Sequence, residues 1–369
     1  MPFQSSTDVF VIGGGPAGLA AALAARRRGF SVTVADSSVP PIDKACGEGI
    51  MPDGLTAARS LGLDLETGDA QHFRGIRFRA GDHAVEASFP QGYGLGMRRT
   101  ELHQLMVDRA AEAGVRMMWG ARVAGIGPGR VMVNGGAARA RWIVGADGGH
   151  SAVRRWAGLD GCERNSLRYG FRRHYHLAPW SEYMELHWGD GCQLYVTPVS
   201  SREVCVVLIS GNPRLRLDAA LPQFGELQRR LAGRQATPER GGISASRRLQ
   251  SVYRGDVALL GDASGSVDAI TGEGLCLLFQ QSVALAEALE AGDLSRYQAE
   301  HRRIGKRPEL MADLMLFMDS RTRLRTRTMR ALESKPALFR RMLALHVGEV
   351  NPRQILKNGV ALGWQILTV

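Results

Sequence analysis

The sequence lacks the features of a membrane-spanning or a disulfide-stabilised secreted protein. No uninterrupted apolar run reaches the roughly 18 residues that a membrane-spanning helix needs. The chain starts MPFQSSTDVF, with no basic segment leading into an apolar stretch, so a secretory signal is not expected. The five cysteines are odd in number and widely spaced, which fits neither a disulfide framework nor a zinc-ligand cluster. We therefore expect a cytoplasmic protein without a structural metal.

Internal repeats and low-complexity linkers are also missing. The 369 residues are enough for one large or two medium domains, which we expect to share a broad interface. Lys and Arg outnumber Asp and Glu by 47 to 36, and the net charge of +11 favours anionic ligands or surfaces. No aromatic platform or known nucleic-acid motif accompanies these charges, so nucleic-acid binding is not expected.

The basic excess is concentrated in the region from residue 301 to residue 347. Arginines alternate with other residues from Arg321 to Arg327, and an apolar stripe of helical spacing precedes them, formed by Met311, Leu314, Met315 and Met318. An apolar stripe beside a basic run is typical of a helix that lies on an anionic membrane surface. The alternative is that the stripe closes a substrate cavity and the arginines form a solvated outer face.

The first 36 residues predict a βαβ unit with a nucleotide site. An apolar strand from Asp8 to Ile12 leads into Gly13, Gly15 and Gly18 of a Gly-x-Gly-x-x-Gly turn, and an Ala/Leu-rich helix follows. Such glycines let the backbone approach a pyrophosphate, which the helix N-terminus then stabilises. Asp36 ends the second strand, where a carboxylate accepts hydrogen bonds from a ribose. The pattern predicts a dinucleotide cofactor.

Two later segments indicate which dinucleotide is bound. The run GADGGHSAVR from Gly145 to Arg154 resembles the G-A-D-G-x-x-S-x-V-R segment of the para-hydroxybenzoate hydroxylase superfamily, and YRGDVALLGDA, ending at Ala263, resembles its second flavin motif. The resemblance covers roughly residues 8 to 290 and implies FAD. The residues that it and the glycine turn assign to the cofactor are Gly13, Gly15, Ala17, Gly18, Asp36, Lys44, Gly47, Arg99, Val123, Asp147, Gly148, Asp262, Gly272 and Gly274.

Within that superfamily, the run KACGEG from Lys44 to Gly49 is similar to the K-x-C-G-x-G segment of the geranylgeranyl reductase-like branch. The resemblance places Cys46 over the flavin, where a thiol modulates redox chemistry or donates a proton. Cys46 is accordingly the predicted catalytic residue, and the alternative is a small buried apolar side chain. The aromatic Y-x-W-x-F-P motif of prenyl reductases corresponds here to Gln193–Pro198, which keeps only the proline and one aromatic residue.

The predicted fold class is α/β. A Rossmann-type FAD-binding domain of the glutathione reductase-like kind comprises residues 1–70, 95–165 and 246–309. An inserted antiparallel-sheet substrate domain comprises residues 71–94 and 166–245, with one helix over 218–232, and a helical C-terminal region covers 310–369. On one strand of that sheet Arg172, His174 and His176 share a face by alternation, and the pattern leaves open which face lines the substrate cavity.

These features predict an FAD-dependent oxidoreductase that uses NADPH or NADH as a transient electron donor. Hydroxylation of a hydrophobic small molecule, aromatic, polyketide or isoprenoid, is the leading hypothesis because the prenyl-reductase motif is degraded. Reduction of carbon–carbon double bonds is the first alternative. The second is a non-catalytic flavin-binding protein that docks on membranes.

Overall fold

A computed structural model of the protein describes residues 4–348. Within that range the chain forms strands that fall into three sheets. In chain order they are β1 (Gln4–Ile12), β2 (Val32–Asp36), β3 (Gly49–Ile50), β4 (Ala70–Phe73), β5 (Gly75–Ala80), β6 (His83–Ser88), β7 (Gly94–Met97), β8 (Arg116–Trp119), β9 (Val123–Gly127), β10 (Arg130–Val133), β11 (Gly136–Gly145), β12 (Cys162–Tyr175), β13 (Tyr183–Trp188), β14 (Cys192–Ser200), β15 (Glu203–Ser210), β16 (Arg240–Leu249), β17 (Tyr253–Arg254) and β18 (Val257–Leu259).

The helices of the same range cover the sheets and form the last part of the described chain. They are α1 (Pro16–Arg27), α2 (Pro52–Ser60), α3 (Arg99–Glu112), α4 (Ala152–Trp156), α5 (Leu217–Ala220), α6 (Gly225–Leu231), α7 (Gly274–Ala291), α8 (Leu294–Asp319), α9 (Thr322–Ser334) and α10 (Pro336–His346).

The first sheet contains the strands that flank the glycine-rich turn. Its central strands run parallel in the order β18, β11, β1, β2, β8, while β17 and the β9–β10 pair extend it with antiparallel strands. The strands are apolar because helices cover the sheet, and Val9, Phe10 and Val11 of β1 are fully buried. Parallel strands all end at the same edge, so the turns after β1, β2, β11 and β18 meet there.

Two glycines of the first turn are required by its backbone. Gly13 has a φ of +109°, and a Cβ there would lie 2.4 Å from the carbonyl oxygen of Ala146. A Cβ on Gly18 would lie 1.8 Å from the carbonyl oxygen of Gly13. Both positions therefore exclude larger residues, and their absence of a side chain lets α1 pack tightly against the strand ends.

The second sheet has seven strands in the order β16, β12, β15, β14, β13, β5, β6. All neighbouring pairs are antiparallel except β13 and β5, which run parallel and attach the hairpin of residues 75–88 to the insertion. A third, three-stranded sheet of β3, β7 and β4 packs against β14 of the seven-stranded sheet. The predicted α/β fold with an inserted sheet and a helical end is confirmed.

The prediction of one helix over 218–232 is wrong. The segment forms α5, then a 3-10 turn from Leu221 to Gln223, then α6. Pro222 has no N–H to continue the α5 hydrogen bonds, and Phe224 leaves helical geometry with φ −123° and ψ 68°. The chain therefore restarts its helix at Gly225 and still covers the sheet with Leu217, Leu227 and Leu231.

The C-terminal helices pack on the sheet face that looks toward the first sheet. α8 is continuous from Leu294 to Asp319, so the predicted boundary at residue 310 falls inside a helix. Met311, Met315 and Met318 are buried against Trp188, Tyr195 and their neighbours. None of the helices in residues 4–348 is long and apolar enough to cross a membrane. The part of the predicted helical region from residue 349 to residue 369 lies outside the described residues.

Candidate active site

A cavity of about 1240 Å³ lies between the strand ends of the first sheet and one face of the seven-stranded sheet. The turns after the parallel strands form one wall, and β12, β14, β15 and β16 form the other. The cavity is larger than the roughly 300–1,000 Å³ of most small-molecule sites. The predicted site residues that line it are Gly13, Gly15, Ala17, Asp36, Lys44, Cys46, Gly47, Arg99, Val123, Asp147, Gly148, Asp262, Gly272 and Gly274. Gly18 does not line it and instead packs against the turn of Gly13.

Asp36 and His103 hold the glycine turn in place. Oδ2 of Asp36 accepts a 2.7 Å hydrogen bond from the amide of Gly14, and Oδ1 accepts one from Ser38. The fully buried His103 accepts from the amide of Ile42 at Nδ1 and donates from Nε2 to the carbonyl of Gly14 at 2.8 Å. Burial lowers the pKa of His103 and outweighs the bond to Gly14, so the neutral ring that satisfies both contacts is favoured. His103 was not among the predicted site residues, and it lies 89 residues from Gly14 in the chain.

The amino end of α1 opens into the cavity at Gly15. Its φ of −71° is ordinary, and a Cβ there would meet no atom within 4 Å. The first amides of α1 have no partner inside the helix, and the helix dipole favours an anion at this end. The turn is thus built to receive a negatively charged group.

Asp147 has a structural task as well as a place in the cavity wall. Its carboxylate accepts hydrogen bonds from the hydroxyl of Ser151 and from the amides of Ala152 and Val153, which caps α4. Arg154 in α4 is 2% exposed and donates to the carbonyls of Gly149 and Ala263. The two later motifs of the sequence are therefore connected by one buried guanidinium.

Lys44 and Asp262 face each other across the cavity mouth. Nζ of Lys44 donates to Oδ2 of Asp262 at 2.7 Å, and both side chains are about half exposed, 51% and 44%. Desolvation raises the pKa of Asp262, but Lys44 outweighs it, so the pKa lies below its ordinary value. Arg99 lies close by in the cavity wall, and its buried Nε has no hydrogen-bond partner among the described residues. A buried unpartnered donor beside a lysine provides cationic groups for an anionic ligand.

The amino end of α7 forms another part of the wall. Gly272 adopts a left-handed conformation with φ +69°, and Gly274 begins the helix. Both glycines line the cavity with Glu273 between them, so the amides of this helix end are available to a ligand in the same way as those of α1.

Cys46 lies on a loop that is fixed from several sides. The hydroxyl of Thr197 donates to the carbonyl of Gly47 at 2.7 Å, and the amide of Met97 donates to the carbonyl of Glu48 at 3.0 Å. The Cys46 sulfur accepts from the amide of Glu48 at 3.4 Å and contacts the cavity. Glu48 itself has a φ of +59°, which is uncommon for a residue with a side chain.

A buried polar cluster under this loop was not predicted. Oε1 of Glu48 accepts from the amide of Arg99 and from Arg172, both at 3.0 Å, and Oε2 contacts Nε2 of His174 at 2.6 Å. Arg172 also forms a bidentate pair with Asp43. The sheet face that carries Arg172 and His174 therefore points toward the cavity side, which answers the question that alternation left open.

The remaining predicted features have simpler roles. His176 is half exposed and lies 3.5 Å from a carboxylate oxygen of Glu203. Cys276 is 2% exposed, and a Cβ on Gly54 would lie 2.6 Å from its sulfur, so it packs α7 against α2. Glu48, His174 and Cys205 are close enough to share a metal ion, but Arg172 already pairs with Glu48, so a cation is disfavoured there.

Part of the cavity wall on the side of the seven-stranded sheet is apolar. Tyr195, Val207 and Ile209 contribute from the sheet, and the hydroxyl of Tyr195 donates to the carbonyl of Ile270. The one arginine of β12 in this part, Arg168, pairs with Asp319 at 3.0 Å. This part of the wall thus offers surface to a hydrophobic molecule.

Comparison with known proteins agrees with these features. A family model described as an FAD binding domain matches residues 6–188. Menaquinone reductase of Mycobacterium tuberculosis is 28% identical over 330 residues, which cover 80% of this chain and 79% of that protein. Digeranylgeranylglycerophospholipid reductase 1 of Methanopyrus kandleri is 30% identical over 328 residues, 79% of this chain and 84% of that protein.

The chain belongs to the FAD-dependent oxidoreductase superfamily. The resemblance inferred from the motifs is confirmed, since relatives of both the monooxygenase and the geranylgeranyl reductase branch match. 6-Methylpretetramide 4-monooxygenase of Streptomyces rimosus is 28% identical over 394 residues, 90% of this chain and 88% of that protein. In fold, a flavoprotein/dehydrogenase from Cytophaga hutchinsonii superposes with a TM-score of 0.84 over 98% of both chains at 19% identity.

The cavity of this flavoprotein fits FAD. The open α1 end at Gly15, the carboxylate of Asp36, and the unpartnered Nε of Arg99 supply an anion site, a ribose acceptor and a buried cation in one cleft. Bound FAD would supply two-electron chemistry, while the amides at Gly272 and Gly274 would stabilise negative charge on the reduced ring. Those contacts are the expected roles of the predicted cofactor residues.

Proposed function

We propose that the enzyme reduces a carbon–carbon double bond of a hydrophobic small molecule, with electrons that NADPH or NADH delivers to FAD. The observation that carries this proposal is the fixed thiol of Cys46 in the cavity wall. Hydride addition to a double bond leaves a carbanionic centre that needs a proton, and hydroxylation by reduced flavin and oxygen needs no thiol. Two relatives, the Mycobacterium tuberculosis and Methanopyrus kandleri proteins, are reductases and support the same direction.

In this proposal different residues donate the proton, hold the loop and bind the substrate. The Cys46 thiol donates the proton, and its thiolate regains one from solvent after the product leaves. Thr197 and Met97 hold the loop because they donate hydrogen bonds to the carbonyls of Gly47 and Glu48, the two residues that follow Cys46. The apolar wall of Tyr195, Val207 and Ile209 binds the substrate by excluding water.

Hydroxylation is the second candidate, and two observations favour it. The Gln193–Pro198 run of β14 keeps only one aromatic residue of the prenyl-reductase motif. The Streptomyces rimosus monooxygenase relative also covers 90% of this chain. In that case Cys46 is a wall residue, and oxygen takes the place of the double bond as the electron acceptor.

One experiment separates these candidates. The purified yellow protein is reduced with NADPH in the absence of oxygen and mixed with a panel of isoprenoid quinones and hydrophobic aromatic compounds. The masses of the products are then measured by mass spectrometry. Double-bond reduction adds two hydrogens that remain after the products are exposed to air, whereas a quinol formed from a quinone loses its two added hydrogens on reoxidation. A product that forms only in air and contains an added oxygen atom would instead support hydroxylation.

Replacement of the thiol tests its role. Cys46→Ser should keep FAD and its reduction by NADPH but slow anaerobic product formation by about 100-fold or more, the usual effect of losing a general acid. Cys192→Ser is the matched control, since Cys192 is buried on the opposite sheet face beside Gln223. Equal rates for wild type and Cys46→Ser would make the thiol a packing residue and remove the main support for reduction.

A further inference from the structure

Glu273 is a titratable group of the cavity wall that has no part in the proposed reaction. Glu273 stands between the two cavity-lining glycines at the start of α7 and is 2% exposed. Its Oε2 has no hydrogen-bond partner among residues 4–348. A buried carboxyl without a hydrogen bond is unusual, since burial of an unpaired charge is costly.

The surroundings of Glu273 supply charges at a distance but no direct bond. Nη2 of Arg307 in α8 lies 3.8 Å from Oε1, but it donates at 2.6 Å to Asp53 of α2, which also accepts from Gln280. Nδ1 of His346 in α10 lies 3.7 Å from the same oxygen and is likewise unpartnered. Cys276, one turn along α7, is the remaining titratable neighbour.

This arrangement decides which form of the carboxyl is favoured. Burial raises the pKa of Glu273 to about 8, Arg307 opposes the rise and Asp53 adds to it. Burial, helped by Arg307, lowers the pKa of His346 to about 4, so the ring is neutral near pH 7 and contributes no cation. Glu273 is therefore protonated near pH 7 and ionised above about pH 8.

We propose that Glu273 is a redox-linked proton acceptor of the flavin. In the pH range where Glu273 is ionised, its carboxylate takes up one further proton from solvent when two electrons and one proton enter the flavin. The reason is electrostatic, because reduction adds negative charge in a cavity whose wall contains this carboxyl, and charges interact strongly where water is excluded. The proposal rests on the FAD site alone and holds for either candidate reaction.

The flavin midpoint potential as a function of pH tests this coupling. Each proton taken up with two electrons changes the reduction equilibrium tenfold per pH unit, which is about 30 mV. The wild-type holoenzyme is titrated with dithionite and a mediator dye. We expect the slope of its midpoint potential against pH to steepen by one such proton above about pH 8. Glu273→Gln should keep the shallower slope, and Glu287→Gln, on the exposed far part of α7, should behave as wild type.

Several results would overturn the proposal. A wild-type slope that does not steepen above pH 8 excludes coupling, and a steepening that persists in Glu273→Gln assigns it to another group. If Glu273→Gln does not retain FAD, Arg307→Gln provides the second measurement. Loss of this cation should move the steepening to higher pH because Arg307 favours the ionised carboxyl, and an unmoved steepening contradicts the assignment.

Discussion

A single methyl group at Gly15 should separate cofactor binding from folding. The backbone there has φ −71° and ψ 178°, which any residue adopts, and a Cβ would meet no protein atom within 4 Å. Gly15→Ala is therefore expected to raise the free energy of unfolding of the apoprotein by about 0.4–1 kcal/mol, because alanine restricts the unfolded chain. The same methyl group points into open space where the pyrophosphate must approach.

The expected loss of FAD affinity in Gly15→Ala follows from the hydrogen bonds between the phosphate and the amides of the α1 end. Displacement of the phosphate from one amide of the α1 end removes a hydrogen bond to a charged group, worth about 1.5–3 kcal/mol. At about 1.4 kcal/mol for each factor of ten, Gly15→Ala should raise the Kd for FAD about 10- to 150-fold. Flavin fluorescence quenching on deflavinated protein measures the Kd, and urea unfolding of the apoprotein measures stability.

Gly18 supplies the matched control. A Cβ there would lie 1.8 Å from the carbonyl oxygen of Gly13, so Gly18→Ala forces the helix away from the turn. We expect a loss of about 1–3 kcal/mol in unfolding free energy, as for other overpacked sites. The reasoning is refuted if Gly15→Ala binds FAD as tightly as wild type, or if it lowers stability as Gly18→Ala does.

Two further predictions concern the other end of the cofactor and the basic helix. Asp36→Ala should weaken FAD binding by roughly 1–3 kcal/mol, because the carboxylate would no longer accept hydrogen bonds from the ribose or from the amides of Gly14 and Ser38. An unchanged Kd for FAD in the same fluorescence titration would show that Asp36 is not part of the site. Arg323 and Arg327 are exposed on α9, and we propose that they attract anionic vesicles at low salt. Vesicle flotation should show binding that fades at high salt, because charges are screened over about 10 Å at 0.1 M ionic strength. If the protein does not float with the vesicles at low salt, the two arginines are only a solvated face of the helix.

The sequence was most informative where the structure depends on neighbours along the chain. The turn of Gly13 to Gly18 and the strand-end Asp36 are recognisable because each conformation is imposed by a few adjacent residues. The break between α5 and α6 was also encoded locally, at Pro222 and Gly225, but the apolar spacing on both sides suggested a continuous helix. The apolar stripe of α8 had two interpretations, and the structure shows it buried against the sheet.

Contacts between distant segments were beyond such reasoning. The contact between Glu48 and His174 joins residues 126 positions apart, and no periodic pattern relates them. Alternation along β12 placed Arg172 and His174 on one face, but alternation alone does not say which of the two faces of a strand is turned toward the cavity. The desolvated state of Glu273 likewise arises from α2, α8 and α10 together, although its position at a helix start was visible in the sequence.

The two faces of the seven-stranded sheet belong to separate hydrophobic clusters, so substitutions on one face need not disturb the packing on the other. On β14 and β15, Leu194, Val196, Val206 and Leu208 pack under α5 and α6, while the alternate residues Tyr195, Val207 and Ile209 face the cavity. A combinatorial library restricted to the cavity-facing positions would reshape the substrate chamber and leave the opposite core untouched. Substitutions at every second residue of two adjacent strands are therefore expected to change the cavity wall, together with its contacts to the methionines of α8.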